Sequence, residues 1–265
     1  MTTINDLTLQ GETRVALAGD WHGDTSWVSK AIPYFARSMP GVRTVLHAGD
    51  FGYWRGSGFL KTVDFWSERA NLTRILTTPG NHEDWPALIE AFSRNPGQPV
   101  QLSNVVWMIP RGFRFSLAGR SFMSFGGAAS LDYADRTSRD WFYEEVATDS
   151  EIEAAIAGGS VQTLLLHETV DGGTPLVERI IRANPMGWNS EELAYSAASR
   201  ARVTRLAAAI KPEIVVHGHI HVQDEAVTAT GTRVYSLDCE NSTSNLASLD
   251  LLTGDWLWLG DPRRR

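Results

Sequence analysis

Val15-Ala16-Leu17-Ala18-Gly19-Asp20-Trp21-His22 is a short apolar run that stops at a glycine and then delivers a carboxylate and an imidazole one residue apart. The pattern returns in Thr44-Val45-Leu46-His47-Ala48-Gly49-Asp50 and in Arg74-Ile75-Leu76-Thr77-Thr78-Pro79-Gly80-Asn81-His82. Short apolar runs closed by turn residues read as strands buried on both faces. Between them, residues 27–37 carry Val28, Ile32 and Phe35 at helical spacing, and Asp24, Thr25 or Ser26 can cap the start. Residues 59–70 and 87–92 read as further helices. Three strand–loop–helix units in succession predict an α/β sheet with polar residues gathered at the strand ends.

Downstream, residues 105–109, 113–117 and 121–125 read as strands, with Arg111-Gly112 and Gly119-Arg120 as turns. Residues 126–149 are rich in Asp, Arg and aromatics and show no periodicity. A loop of that length is usually functional or disordered. A short helix is expected at 151–157 and a strand at 163–166 that delivers His167. A longer helix is expected at 191–210, with Leu193, Ala197, Val203 and Leu206 on one stripe. A strand at 214–216 then leads into His217-Gly218-His219-Ile220-His221. Residues 226–229, 233–237, 246–252 and 256–259 alternate and are expected to form a β-meander. Arg263-Arg264-Arg265 reads as a solvated basic tip. No repeat or linker breaks the pattern, so residues 1–265 are expected to form a single domain.

Composition narrows the function classes. With 43% hydrophobic and 21% charged residues the chain is an ordinary globular one. Its formal charge of -7 is not the footprint of a general nucleic-acid coat. A lone cysteine, Cys239, excludes a disulfide framework and any multi-cysteine zinc cage, and it fits a reducing compartment. No apolar run is long enough to cross a bilayer. The first thirteen residues are polar, with Asp6 and Glu12 where a signal peptide needs an apolar core. A cytoplasmic location with no membrane partner is therefore expected.

The chain has seven histidines, and six of them fall at a strand end or just beyond: His22, His82, His167, His217, His219 and His221. The seventh, His47, lies inside a strand and is expected to be structural. In Asp20-Trp21-His22 and His219-Ile220-His221 the paired side chains project to one side of extended backbone. Asp50 and Asn81 each follow a glycine. Carboxylates, an amide oxygen and imidazoles would then meet at one edge of one sheet. Such donors without thiolate suit Mn, Fe or Zn. Seven candidate ligands are too many for one tetrahedral ion and suit two ions about 3.5–4 Å apart.

Asp20-Trp21-His22, Gly49-Asp50, Gly80-Asn81-His82-Glu83, His167 and Gly218-His219-Ile220-His221 resemble, in order and in strand-end context, the blocks of the calcineurin-like metallophosphoesterase superfamily. The resemblance runs from about Val15 to His221. It implies a four-layer α-β-β-α sandwich and a dinuclear centre of Mn and/or Fe, with Zn an alternative. Asp20, His22 and His221 would hold one ion, Asn81, His167 and His219 the other, and Asp50 would bridge them. A hydroxide would attack phosphorus in line, with His82 stabilising the phosphoryl oxygen or protonating the leaving group. The substrate implied is a small phosphate ester.

The chain departs from the family pattern in two places. Tyr53 stands where many relatives have a second Asp that orients the histidine after Asn, so His82 needs Glu83, Asp84 or a distant residue as partner. The segment after His167, Glu168-Thr169-Val170-Asp171-Gly172-Gly173, lacks the compact His-x-x-Pro of relatives. A phosphodiesterase is preferred to a phosphomonoesterase on the strength of Tyr53. A metal-binding scaffold without turnover is a second reading, weakened because every ligand position is filled. A nuclease is the third, disfavoured by the acidic balance.

Other candidates are weighed beside these. Within 126–149, Arg136 and Arg139 are candidates for phosphate contact, and Trp141 and Tyr143 could stack on a base; a surface loop tied by salt bridges is the alternative. Gly126-Gly127 and Gly172-Gly173 lack the lysine of a P-loop. His217 is expected either beside the ligands or bonded to a backbone carbonyl. Asp24 is expected as a helix cap, Asp238 and Glu240 in capping or surface roles, and Cys239 as a small buried hydrophobe.

Overall fold

The computed structural model describes residues 4–263; the first three residues and Arg264 and Arg265 of the basic tip lie outside the described residues. In chain order the strands are β1 (Asn5–Asp6), β2 (Arg14–Ala18), β3 (Thr44–His47), β4 (Arg74–Thr77), β5 (Val100–Gln101), β6 (Val106–Met108), β7 (Phe113–Leu117), β8 (Arg120–Phe125), β9 (Thr163–Leu166), β10 (Ile214–His217), β11 (Asp224–Val227), β12 (Arg233–Ser236), β13 (Leu246–Asp250) and β14 (Trp256–Trp258). The helices are α1 (Thr25–Ser38), α2 (Phe59–Arg69), α3 (Trp85–Arg94), α4 (Asp149–Ala157), α5 (Pro175–Ala183) and α6 (Ser190–Ile210).

Two seven-stranded sheets face each other, ordered β14-β13-β2-β3-β4-β6-β5 and β1-β7-β8-β9-β10-β12-β11. The alternation of side chains along β2 shows how they stack. Val15 and Leu17 enter the core between the sheets, with Leu46, Leu76, Phe115, Phe122, Leu165 and Val216. Ala16 and Ala18 point the other way, into a cluster with Trp27, Ile32 and Phe35 of α1 and Phe59 and Val63 of α2. On the second sheet, Leu164, Leu166 and Val215 meet Ile152 of α4 and Val203 and Leu206 of α6. The result is the four-layer α-β-β-α sandwich. Each fully buried Leu or Val contributes about 1.5–3 kcal/mol relative to exposure, so the three clusters hold the layers in place.

Helix starts follow the cap chemistry. Asp24 accepts from Trp27 N, as its position suggests, and Asp84 accepts from Ala87 N. Thr148 with Glu151, and Asn189 with Glu192, close reciprocal capping boxes on α4 and α6.

Three expectations are corrected. The C-terminal strands are not one meander: β11 and β12 form a hairpin whose β12 pairs parallel with β10, whereas β13 pairs antiparallel with β2 in the other sheet. Alternation reports which faces a strand buries but not which neighbour it meets. Helix α5 is an addition to the expected elements, although Pro175 followed by Val177, Ile180 and Ile181 carries helical spacing. It packs with Leu131 and Ile220 in a satellite cluster. On α6, Ala197 is exposed, and the first half of the inward face is polar, with Glu192, Ser196, Ser199 and Arg200 buried. That half covers polar groups: Arg200 Nε donates to Asp171 at 2.8 Å and its Nη1 to Ser196 at 2.6 Å. Among the described residues no helix is long and apolar enough to cross a membrane.

Candidate metal centre

The parallel strands β2, β3 and β4 of one sheet and β9 and β10 of the other end on the same side of the sandwich, and their C-terminal ends carry the polar residues. This corrects the expectation of a single sheet edge, because Asp20, His22, Asp50 and Asn81 follow strands of one sheet whereas His167, His219 and His221 follow strands of the other. The turns are knitted by backbone bonds: Trp21 N and His22 N donate to Asp50 O at 2.9 and 2.8 Å, and His219 N donates to Asp20 Oδ2 at 3.1 Å. His22, Asp50, His219 and His221 all adopt left-handed backbone, with φ of 43°, 49°, 74° and 50°. Non-glycine residues held there are strained, and such strain gathers at functional sites. Close approach also dictates glycines here: a Cβ on Gly80 would lie 2.1 Å from Asp50 Oδ1, and one on Gly218 would lie 2.1 Å from Asp20 Oδ1.

Asp20, His22, Asp50 and His221 each offer a ligand atom, all within 4.8 Å of one another. His22 Nε2 lies 3.3 Å from Asp50 Oδ2, and His221 Nε2 lies 3.1 Å from Asp20 Oδ2. A second group meets the same carboxylate oxygen. His167 Nε2 is 3.2 Å from Asp50 Oδ2 and 3.0 Å from Asn81 Oδ1, and the His219 ring centroid is 5.1 Å from that of His167. Asp50 is therefore shared by two donor groups.

Electrostatics mark this cluster as cation-seeking. Burial opposes protonation of His22, but hydrogen bonds to Asp50 and Glu240 outweigh it and push the ring up to about 11. Burial likewise opposes His221 and His167, yet Asp20 and Cys239 raise the first to about 10, and Asp50 and Asp20 raise the second to about 9. Despite burial, Asp50 is held well below the usual carboxylate range by His167 and His82. The cluster holds protons where a metal ion would supply positive charge. His219 Nε2 is buried without a hydrogen-bond partner, and the donors are oxygen and imidazole nitrogen throughout. These residues fit a bound divalent cation.

The remaining sequence candidates sort clearly. His82 Nε2 is 3.9 Å from Asp50 Oδ2, and Arg136 Nη2 donates to it at 2.5 Å while pairing with Asp132 Oδ1 at 2.8 Å. Burial, then the Arg136 charge, lowers the His82 ring, with Asp50 acting against them. Its partner is thus distant in sequence. Glu83 instead accepts from the backbone N–H of Phe51, Gly52 and Tyr53 at 2.8, 3.1 and 2.8 Å, holding the Asp50 turn. Burial and then Asp50 push Glu83 up to about 7. Tyr53 packs against the apolar cluster under α1 and α2. Arg139 is exposed on the same segment as Arg136. His217 Nδ1 donates to Gly218 O at 3.0 Å, and burial lowers that ring to about 4. His47 is buried between the rings of Trp21 and Phe51 and is held neutral, first by burial.

Two supports were missed in the sequence. The connection 237–245 does more than cap and turn: Glu240 Oε2 lies 2.7 Å from His22 Nδ1, and Cys239, half-buried rather than buried, reaches His221. Its Asn245 satisfies a whole amide, accepting from Trp21 Nε1 and Trp27 Nε1 and donating to Asp20 O and Asp238 O. On the other side, 126–149 is ordered around Glu145. That buried carboxylate accepts from Ser130 N and Oγ at 2.7 Å, and from Trp141 Nε1 and Tyr195 Oη at 3.1 Å. Burial pushes Glu145 up to about 7 against those bonds. Neither support shows periodicity, because each works through single contacts between loops.

The family model described as calcineurin-like phosphoesterase matches residues 13–223. The chain belongs to that family. Membership implies a phosphoester hydrolase, and the match spans every donor named above. Among solved structures the chain is similar to the protein TT1561 of Thermus thermophilus, at 14% identity over 95% of this chain and 99% of that one, with a TM-score of 0.56. It is also similar to a dimetal phosphatase from Danio rerio, at 11% identity over 94% and 95% of the two chains, with a TM-score of 0.57. At such identities the likeness is one of fold. No curated protein matches by sequence.

Proposed function

We propose that this protein hydrolyses small phosphate esters at a two-ion centre, with diesters preferred to monoesters. The observation that carries the reading is that two donor groups share Asp50, whose Oδ2 lies 3.3 Å from His22 Nε2 and 3.2 Å from His167 Nε2. Asp20, His22 and His221 would hold one ion, Asn81, His167 and His219 the second, and Asp50 both. Bound divalent ions, Mn or Fe by ligand type, would lower the pKa of a water and screen the phosphoryl oxygens.

The chain's own residues supply the rest. His82 sits at the open side of Asp50. With Arg136 donating to its Nε2, the ring carries its proton on Nδ1. When a substrate oxygen takes the Arg136 guanidinium, the freed Nε2 can take up a proton from solvent, and the resulting imidazolium delivers it to the leaving oxygen and returns to the neutral ring, a contribution of about 10²–10⁴-fold. Arg139, exposed nearby, is the outer candidate for substrate contact. The diester preference rests on charge. The Arg136 guanidinium that would meet the substrate is shared with Asp132, so beyond the ions the site offers one partly neutralised cation, which suits a monoanionic diester better than a dianionic monoester.

Metal-stripped protein assayed with and without Mn²⁺ on bis-p-nitrophenyl phosphate and p-nitrophenyl phosphate tests this. Mn-dependent turnover faster on the diester is expected. Faster monoester turnover overturns the preference, and two bound ions without turnover on either ester favour a scaffold.

A further inference from the structure

The Asn81 side chain is buried, and an amide can ligate a cation only through its oxygen. Rotated by half a turn, the same side chain would present NH₂ to the ion instead. The choice between the two is made by whatever the other end of the amide meets. Here Asn81 Nδ2 donates to Ser130 Oγ at 3.0 Å, leaving Oδ1 beside His167 Nε2. A serine hydroxyl is ambivalent, able to accept from the NH₂ or to donate to the oxygen. What removes the ambivalence is Glu145. The Ser130 hydroxyl proton goes to Glu145 Oε2 at 2.7 Å, so Ser130 Oγ is left only to accept.

The direction is secured one step further out. Every group around the Glu145 carboxylate can donate, and two of them, Ser130 N and Trp141 Nε1, can do nothing else, with Ser130 Oγ and Tyr195 Oη beside them. The carboxylate is itself fixed in place. Arg111 Nη2 donates to the Glu144 and Glu145 carbonyls, both at 2.7 Å, its Nε donates to Gly126 O at 2.8 Å, and its guanidinium lies over the Trp85 ring. We propose that Ser130 and Glu145 are positioning residues that polarise a one-way hydrogen-bond chain and hold the Asn81 amide with its oxygen turned to the metal centre. The inference rests on the reading of Asn81 as a ligand of one of two ions.

The chain makes different demands of near-isosteric variants. Glu145→Gln keeps the shape but adds an NH₂ that can donate to Ser130, freeing the serine proton for Asn81 and allowing the amide to turn over. Ser130→Ala removes the director altogether. Tyr195→Phe deletes one donor to Glu145 without changing the direction of the chain, and serves as the control for lost stability. Mn²⁺ binding to the metal-stripped full chain, measured by calorimetry with stoichiometry and with thermal melting alongside, separates these effects. Wild type is expected to bind two ions. Ser130→Ala and Glu145→Gln are expected to weaken one of them by about 10–100-fold and leave the other unchanged. Tyr195→Phe is expected to keep both affinities even where its melting temperature falls. Two ions bound with wild-type affinity by both variants, whatever their melting temperatures, overturns the proposal. Fewer than two ions on wild type overturns instead the two-ion reading beneath it.

Discussion

The two flanks of the centre are built from opposite materials. On the flank of Asp20, His22 and His221, charge does the holding: the rings pair with Asp20, Asp50 and Glu240, and His221 is 45% exposed. On the flank of Asn81, His167 and His219, the side chains are buried, and beside the His167–Asp50 pair a hydrogen-bond relay from Glu145 through Ser130 does the orienting. Two buried asparagines make the contrast concrete. Asn245 uses its entire amide to clamp Trp21, Trp27, Asp20 and Asp238, whereas Asn81 spends only its NH₂ and keeps its oxygen for the centre.

The largest effect expected is from Asp50→Ala, the one change that touches both flanks. Both ions should be lost by elemental analysis and turnover should fall to background; retention of one ion would confine Asp50 to a single flank. Next, His82→Ala should lower kcat about 10²–10⁴-fold with metal content unchanged. A loss of metal would show that His82 is a ligand instead. Asn245→Ala leaves two buried indole N–H groups unpaired and should cost about 2–3 kcal/mol in chemical denaturation. An unchanged midpoint would mean that the open flank does not depend on its clamp. Glu240→Gln should weaken the open-flank ion about 10-fold, leaving the closed one alone.

The gentlest effect is a pH slope. His167, His221 and His22 are raised in the folded protein to about 9, 10 and 11 from 6.5. Their contribution to metal-free stability is complete below pH 6.5 and is lost as pH rises through the folded values. The melting temperature of stripped protein should therefore decline from pH 6.5 to 9.5, and Mn²⁺ should flatten the decline. A flat profile in stripped protein would contradict the proton-holding cluster.

Much of this was legible because β2, β3, β4, β9 and β10 are short strands buried on both faces. Each is an apolar run closed by its turn residues, and the donors lie where the runs stop. Glycines at 49, 80 and 218 mark the same places. The partner of His82 was not legible, since Arg136 reaches it across 54 residues of chain. Ser130, Glu145 and Asn245 look like ordinary loop polars until the fold buries them. The tail hides its topology for a related reason: β12 and β13 read alike in sequence, yet 237–245 carries the chain from one sheet to the other.

The most direct test is anomalous diffraction from crystals of the protein loaded with Mn²⁺. Two peaks about 3.5–4 Å apart, with the Asp50 carboxylate between them, are predicted. A single peak, or two peaks that Asp50 does not share, would contradict the two-flank centre.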